Sequence, residues 1–225
     1  MAKHMQRDLE KLQGLVLKMA GHVEGAIYSS IRALRDRDPD AAKRVTDGDT
    51  DIDLMENEVQ EECLKILALH QPVAVDLRRI AAVMLISTDL ERMGDLAVGI
   101  AERAEMLSVP PHISVPERLA HMTAATTDMV RKALDAFVHQ DVAAARAVVR
   151  LDDTVDDDND HIIAWLTAEM KKSPDLVDAG ISLFSAVRHL ERIADHATNI
   201  AEDVIYLVEG EIVRHKPEAI QTSAR

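Results

Sequence analysis

LERMGDLAVGIAERA (90–104) returns a hundred positions later as LERIADHATNIAEDV (190–204). Around the first copy, Val83, Ile86, Leu90, Met93, Ala97, Ile100, Ala104 and Leu107 stand alternately three and four residues apart. Adding 100 gives Leu183, Ala186, Leu190, Ile193, Ala197, Ile200, Val204 and Leu207, and every position stays apolar. A three–four stripe buries one face of a helix in a bundle with coiled-coil-like packing. The sequence therefore predicts an all-α fold built by duplication.

The helices ahead of these match at a different offset. Val45, Ile52 and Val59 correspond to Val148, Val155 and Ile162, an offset of 103, so the two units differ by three residues near the turns at Gln71–Pro72 and Ser173–Pro174. Pro39, Pro72, Pro110, Pro111, Pro116, Pro174, Gly210 and Pro217 punctuate otherwise long helical patterns. The expected helices are about 5–36, 40–70, 73–107, 116–139, 141–171 and 175–209. The double proline in SVPPHISVP (108–116) divides the chain into two similar three-helix bundles, 1–110 and 111–225, the second with a short C-terminal tail.

Composition agrees. Of 225 residues, 47% are apolar but only 2% aromatic, a mixture rich in small and aliphatic side chains that fit between close-packed helices. No apolar run approaches the roughly 20 residues of a membrane span, and no basic-then-apolar leader opens the chain. A single cysteine, Cys63, rules out an intramolecular disulfide framework, and the chain reads as cytoplasmic. Its net charge of −14 is repelled by nucleic-acid backbones and anionic lipid, so the expected partners are cations or basic protein surfaces.

Acidic rows run beside the apolar seam. Glu91 and Asp95 share a helix face, and the same row in the second copy is Glu191 and Asp195. Glu102, Asn199 and Glu202 continue these rows as possible additional or outer ligands, with Gly99 interrupting the first. On the preceding helices Asp49 and Asp53 correspond to Asp152 and Asp156. Antiparallel helices joined near Gln71 bring Asp49 and Asp53 level with Glu91 and Asp95. Four carboxylates from two helices, without thiolate, make a hard oxygen site for Mg, Mn, Ca or oxidised iron. A single such pair is usually a solvated flank, and Arg92, Arg188 and Arg192 are at hand to neutralise it. Four pairs in register across a duplication favour metal.

Other features have plainer readings. His189 and His196 are expected at the surface, Met84, Met93 and Met129 in the core, and in DDTVDDDND (152–160) only Asp152 and Asp156 gain weight from the repeat. There is no phosphate-cradling glycine loop, no nucleophile elbow, no zinc spacing and no Glu-xx-His pair. An enzyme is not expected.

KRVTDGDTDIDLME (43–56), QPVAVDLRRI (71–80), LERMGDLAVGIAERA (90–104) and LERIADHATNIAEDVIYLVEGE (190–211) resemble the PhoU family, in the family's order and over about residues 8–212. The resemblance implies two similar three-helix bundles, a homodimer, and metal ions, whether Mg, Mn, Fe, Ca or Zn, at Asp49, Asp53, Glu91 and Asp95 and at Asp152, Asp156, Glu191 and Asp195. It implies a non-enzymatic negative regulator of phosphate uptake and phosphate-starvation signalling. Its implied partners are the ATPase of the phosphate ABC transporter and the phosphate-sensing histidine kinase, with no membrane insertion of its own. Asp76 and Arg78, in the segment tied to that control, are the implied partner contacts. Gly99 and Ala194 depart from the family pattern, the first leaving the two metal sites unequal. The competing reading is a structural helical scaffold without a metal-dependent role.

Overall fold

The computed structural model describes residues 2–214; Pro217 and the rest of the tail lie outside them. In chain order the helices are α1 (Ala2–Asp36), α2 (Pro39–His70), α3 (Ala74–Leu107), α4 (Glu117–His139), α5 (Val142–Lys172) and α6 (Val177–Glu209). A 3-10 turn at Pro174–Leu176 leads into α6, and there is no strand among the described residues. The expected all-α pair of three-helix bundles is what forms: α1, α2 and α3 pack together, as do α4, α5 and α6.

Turn chemistry repeats with the helices. Arg37 and Gln140 take left-handed backbone conformations, φ 53° and 52°, and each is followed by an aspartate that caps the next helix. Asp38 accepts from the Ala41 amide at 2.9 Å, and Asp141 accepts from that of Ala144 at 3.0 Å. Each cap satisfies an orphan N–H and contributes about 1 kcal/mol. Pro39 adds a preset φ at the start of α2.

All the seam residues of α3 and α6 named above are buried. Burying a side chain the size of Leu90 or Ile193 contributes about 1.5–3 kcal/mol. The two copies fill the seam differently where α2 meets α3. A Cβ on Gly94 would lie 3.1 Å from Ile52 Cδ1 and 3.3 Å from its Cγ2, so glycine lets the larger side chain in. In the second bundle the corresponding residues are Val155 and Ala194, one methyl moved from one helix to the other. Gly94→Ala alone is expected to gain helix propensity but lose it to crowding, whereas Gly94→Ala with Ile52→Val reproduces the second bundle's pair. A urea-unfolding cycle should show favourable coupling of about 1 kcal/mol between the two changes; additivity would contradict this packing.

The two bundles meet mainly through α3 and α6, the most extensive helix pairing in the molecule. These helices run antiparallel: Arg78 lies near Leu207, Asp89 near His196 and Asn199, and Arg103 near Ser185. Both third helices are thus covered on two sides. Ala82, Ser87, Leu96 and Ala101 of α3 are buried in addition to its seam. The expectation of surface histidines fails here. His196 Nδ1 sits 2.7 Å from Asp89 Oδ1, and the His189 ring lies over Gly99, where a Cβ would be 2.8 Å from Nε2. The repeat partners of Asp89, Leu96 and Gly99 are His189, His196 and Asn199, so the pseudo-twofold contact is acid–imidazole–amide at one end and imidazole over glycine at the other.

The chain closes over this interface. Gly210, at φ 78°, ends α6; Val213 is buried, and Arg214 reaches Asp89, Asp203 and Glu202 at 3.6, 3.5 and 3.8 Å. One guanidinium therefore serves three carboxylates from both bundles.

Candidate metal centres

Antiparallel pairing of α2 with α3 sets the register of the first acidic group. The Thr88 hydroxyl donates to Glu56 at 2.9 Å, which places Glu91 beside Asp53 and Asp95 beside Asp49 one turn further on. A Cβ on Gly94 would be 3.5 Å from Asp49 Oδ1, an ordinary contact, so Asp49 lies beside the seam without depending on the glycine. Burial and then the neighbouring Asp53 and Asp95 push the Asp49 pKa upward. Burial and Asp95 raise that of Glu91 against the pull of Arg92. Arg92 is the local counter-charge, 3.1 Å from Asp95 and 3.5 Å from Glu91.

The second group is more deeply set. Burial, reinforced by Asp156 and Asp195, raises Asp152 to about 6. Burial raises Asp156 with help from Asp153 and Asp160, and burial with Asp195 raises Glu191 against Arg188. Asp195 is raised by burial and Asp156 against the pull of His196 and two arginines. Arg188 holds Glu191 Oε1 at 3.0 Å, while Glu191 Oε2 is buried with no hydrogen-bond partner.

The structure therefore gathers the eight carboxylates into two groups of four, in which burial and neighbouring carboxylates raise Asp49, Glu91, Asp152, Asp156, Glu191 and Asp195. Among the described residues no three His, Cys, Asp or Glu side chains already close into a coordination sphere, so holding an ion requires rotation of these side chains. The donors are nevertheless suited to a hard cation: all are oxygen, their charges repel, and one buried oxygen lacks a donor. Glu56 joins the first group through its field on Glu91; its spacing of three from Asp53 was the available signal.

The remaining sequence-derived residues are engaged elsewhere. Glu102 pairs with Arg103 at 3.2 Å and is half-exposed, Asn199 donates to Asp89 across the bundle interface at 3.2 Å, and Glu202 faces Arg214. Arg78 donates to the Leu207 carbonyl at 3.5 Å and packs against Gly210, so it ties the start of α3 to the end of α6. Asp76 is partly buried in the first turn of α3, beside exposed Val73, Val75 and Leu77.

A tandem pair of three-helix bundles with a carboxylate group on each α2–α3 type hairpin is the class of protein this chain forms. The chain belongs to the PhoU family: the PhoU domain matches twice, over residues 16–104 and 119–204, one match to each bundle. It is 39% identical over 217 residues to the phosphate-specific transport system accessory protein PhoU homolog of Pseudomonas aeruginosa, covering 95% of this chain and 89% of that protein. Identity to the phosphate-specific transport system accessory protein PhoU of Escherichia coli is 32%, over 92% of this chain and 86% of that one. The crystal structure of PhoU from Pseudomonas aeruginosa superposes with a TM-score of 0.87 at 38% identity, covering 92% of this chain and 99% of that chain. That of the phosphate transport system regulatory protein PhoU from Streptococcus pneumoniae gives 0.87 at 27% identity, over 93% and 99%.

Proposed function

We propose that the protein is a negative regulator of phosphate uptake and of phosphate-starvation signalling, a non-enzymatic adaptor between the phosphate ABC transporter's ATPase and its sensor histidine kinase. The observation that carries this reading is family membership across both bundles, with relatives named as accessory proteins of phosphate-specific transport. No helix among the described residues is long and apolar enough to cross a membrane, which is compatible with a cytoplasmic protein that reaches the membrane through its partners. In this reading the working form is a homodimer.

The metal-binding part of the proposal rests on the two carboxylate groups. Asp49, Asp53, Glu91 and Asp95 would hold one centre, and Asp152, Asp156, Glu191 and Asp195 the other. A bound cation would supply the positive charge that lets these side chains ionise together. The residues themselves then tie α2 to α3 and α5 to α6, and the surface presented to partners becomes less acidic. Adding Mn²⁺ or Mg²⁺ to EDTA-treated protein at pH 7 should raise the melting temperature, with about 2.7 kcal/mol of added stability per occupied centre at a hundredfold excess over its Kd. Asn and Gln replacements in one group should abolish that group's share only.

The regulatory reading is tested with a phosphate-starvation reporter, such as secreted phosphatase activity, in phosphate-rich cells lacking the gene. The reporter should rise and fall again when the intact gene is restored. A reporter that stays off would remove this chain from control of that response.

A further inference from the structure

A cleft of about 310 Å³ lies between α1 and α2, at the small end of the range for small-molecule sites. Its chemistry is the reverse of the protein's. In a chain of net charge −14, Arg32 from α1 and Arg44 from α2 line the same opening, joined by His22 and the Ser29 hydroxyl. Both arginines are exposed, and among the described residues neither has a hydrogen bond or an ion pair within 4 Å. The field of Asp36 reaches Arg32, but the Asp36 carboxylate is itself held by Arg35 at 2.7 Å.

Gly25 and Gly48 line the cleft from opposite helices, and a Cβ on either would meet nothing within 4 Å. Neither packing nor a positive φ calls for glycine there, although glycine weakens a helix interior. Gly14 and Gly21 are equally open away from the cleft, so the pair gains meaning only from the arginines beside it. The duplicated unit sharpens the contrast. At the offset of 103, Arg32, Arg44 and Gly48 become Asp135, Ala147 and Leu151, so the open basic cleft belongs to the first bundle alone.

We propose that this cleft binds a small phosphoryl oxyanion, either inorganic phosphate or the phosphate of a small monoester, through Arg32 and Arg44 with the Ser29 hydroxyl as a further donor. Guanidinium groups match the paired oxygens of a phosphoryl group, and the missing side chains at 25 and 48 leave room for it. Asp51 also lines the cleft. A carboxylate chiefly accepts hydrogen bonds, so it favours an oxyanion that still carries a proton, as monohydrogen phosphate does and neither sulfate nor a fully ionised monoester does, which makes inorganic phosphate the expected tighter ligand. Asp51 sits two residues from both Asp49 and Asp53, about 200° around the helix, which sets this cleft apart from the carboxylate group.

The test is a titration of the full chain in EDTA with inorganic phosphate, AMP and sulfate, followed by calorimetry and by phosphorus NMR line width for the first two. Saturable binding is expected with one equivalent of phosphate or AMP, the tighter of the two telling the free ion from the ester. Arg32→Ala with Arg44→Ala, and separately Gly48→Leu, should weaken it at least about tenfold, while the exposed Arg150→Ala leaves it unchanged. Folding of each variant is checked by circular dichroism, and Gly48→Leu adds a good helix former without a clash. No saturable binding at millimolar ligand, or binding indifferent to these variants, overturns the site; sulfate binding as tight as phosphate overturns the phosphoryl assignment.

Discussion

Lowering the pH from 8 to 5 is expected to stabilise the metal-free protein by about 2–4 kcal/mol, after allowance for solvent screening. The two groups that carry most of this are Asp203, raised to about 7 by burial against the pull of Arg214, and Asp152, raised to about 6. A carboxyl whose folded pKa lies above its unfolded value holds its proton longer in the folded chain. Its full stability is therefore present below the unfolded pKa near 3.8 and is lost as pH rises through about 6 for Asp152 and about 7 for Asp203. Carboxylates shifted the other way, Asp8, Asp36, Glu62 and Asp128, are lowered by their basic partners and act only at more acid pH. Urea unfolding in EDTA at pH 5, 6, 7 and 8 measures the slope. Asp152→Asn and Asp203→Asn should each flatten it in their own window, and stability that climbs from pH 5 to 8 would contradict the burial of these acids.

Asp89→Ala is expected to cost about 2–3 kcal/mol, more than any exposed acidic substitution, because its partners stay buried when it goes. The Asp89 side chain is 12% exposed and receives His196 at 2.7 Å, Asn199 at 3.2 Å and Arg214 at 3.6 Å. These partners come from the second bundle and the C-terminal segment, so the loss falls on the contact between the bundles. For a chain of this size the melting temperature should drop by roughly 4–12 °C. Asp89→Asn, which can still accept from His196, should cost less. Equal stability of the alanine variant and wild type would show that the α3–α6 contact is carried by its apolar residues alone.

The seam of each bundle was legible because a three–four apolar stripe is a local property of one helix, and duplication confirmed it position by position. The carboxylate groups were legible for the same reason: Asp49, Asp53, Glu91 and Asp95 follow from helix spacing plus one antiparallel turn. The pairing of α3 with α6 was not, because it joins residues a hundred positions apart through a second face. A trace of it does lie in the sequence. From Ile80 to Ile86 α3 is apolar on every side, more than one buried face needs, although Leu85 stays exposed. Among the positions where the repeat breaks are those that meet across the pseudo-twofold axis, Asp89 with His196 and Asn199 at one end and Gly99 with His189 at the other. Reading them as surface or outer-ligand variation missed that a duplicated pair can specialise its two halves for one another. Arg78 and Arg214 were hidden because their partners, a helix end and three scattered acids, become neighbours only once the bundles dock.

The claim that the two carboxylate groups serve regulation is tested most directly by one variant: Asn at Asp49, Asp53, Asp95, Asp152, Asp156 and Asp195, with Gln at Glu91 and Glu191. Expressed in phosphate-rich cells lacking the gene, and shown by circular dichroism to be helical, it should leave the phosphate-starvation reporter high where the wild-type gene represses it. Full repression by the folded variant would contradict the account and leave the carboxylate groups as solvated flanks of a helical scaffold.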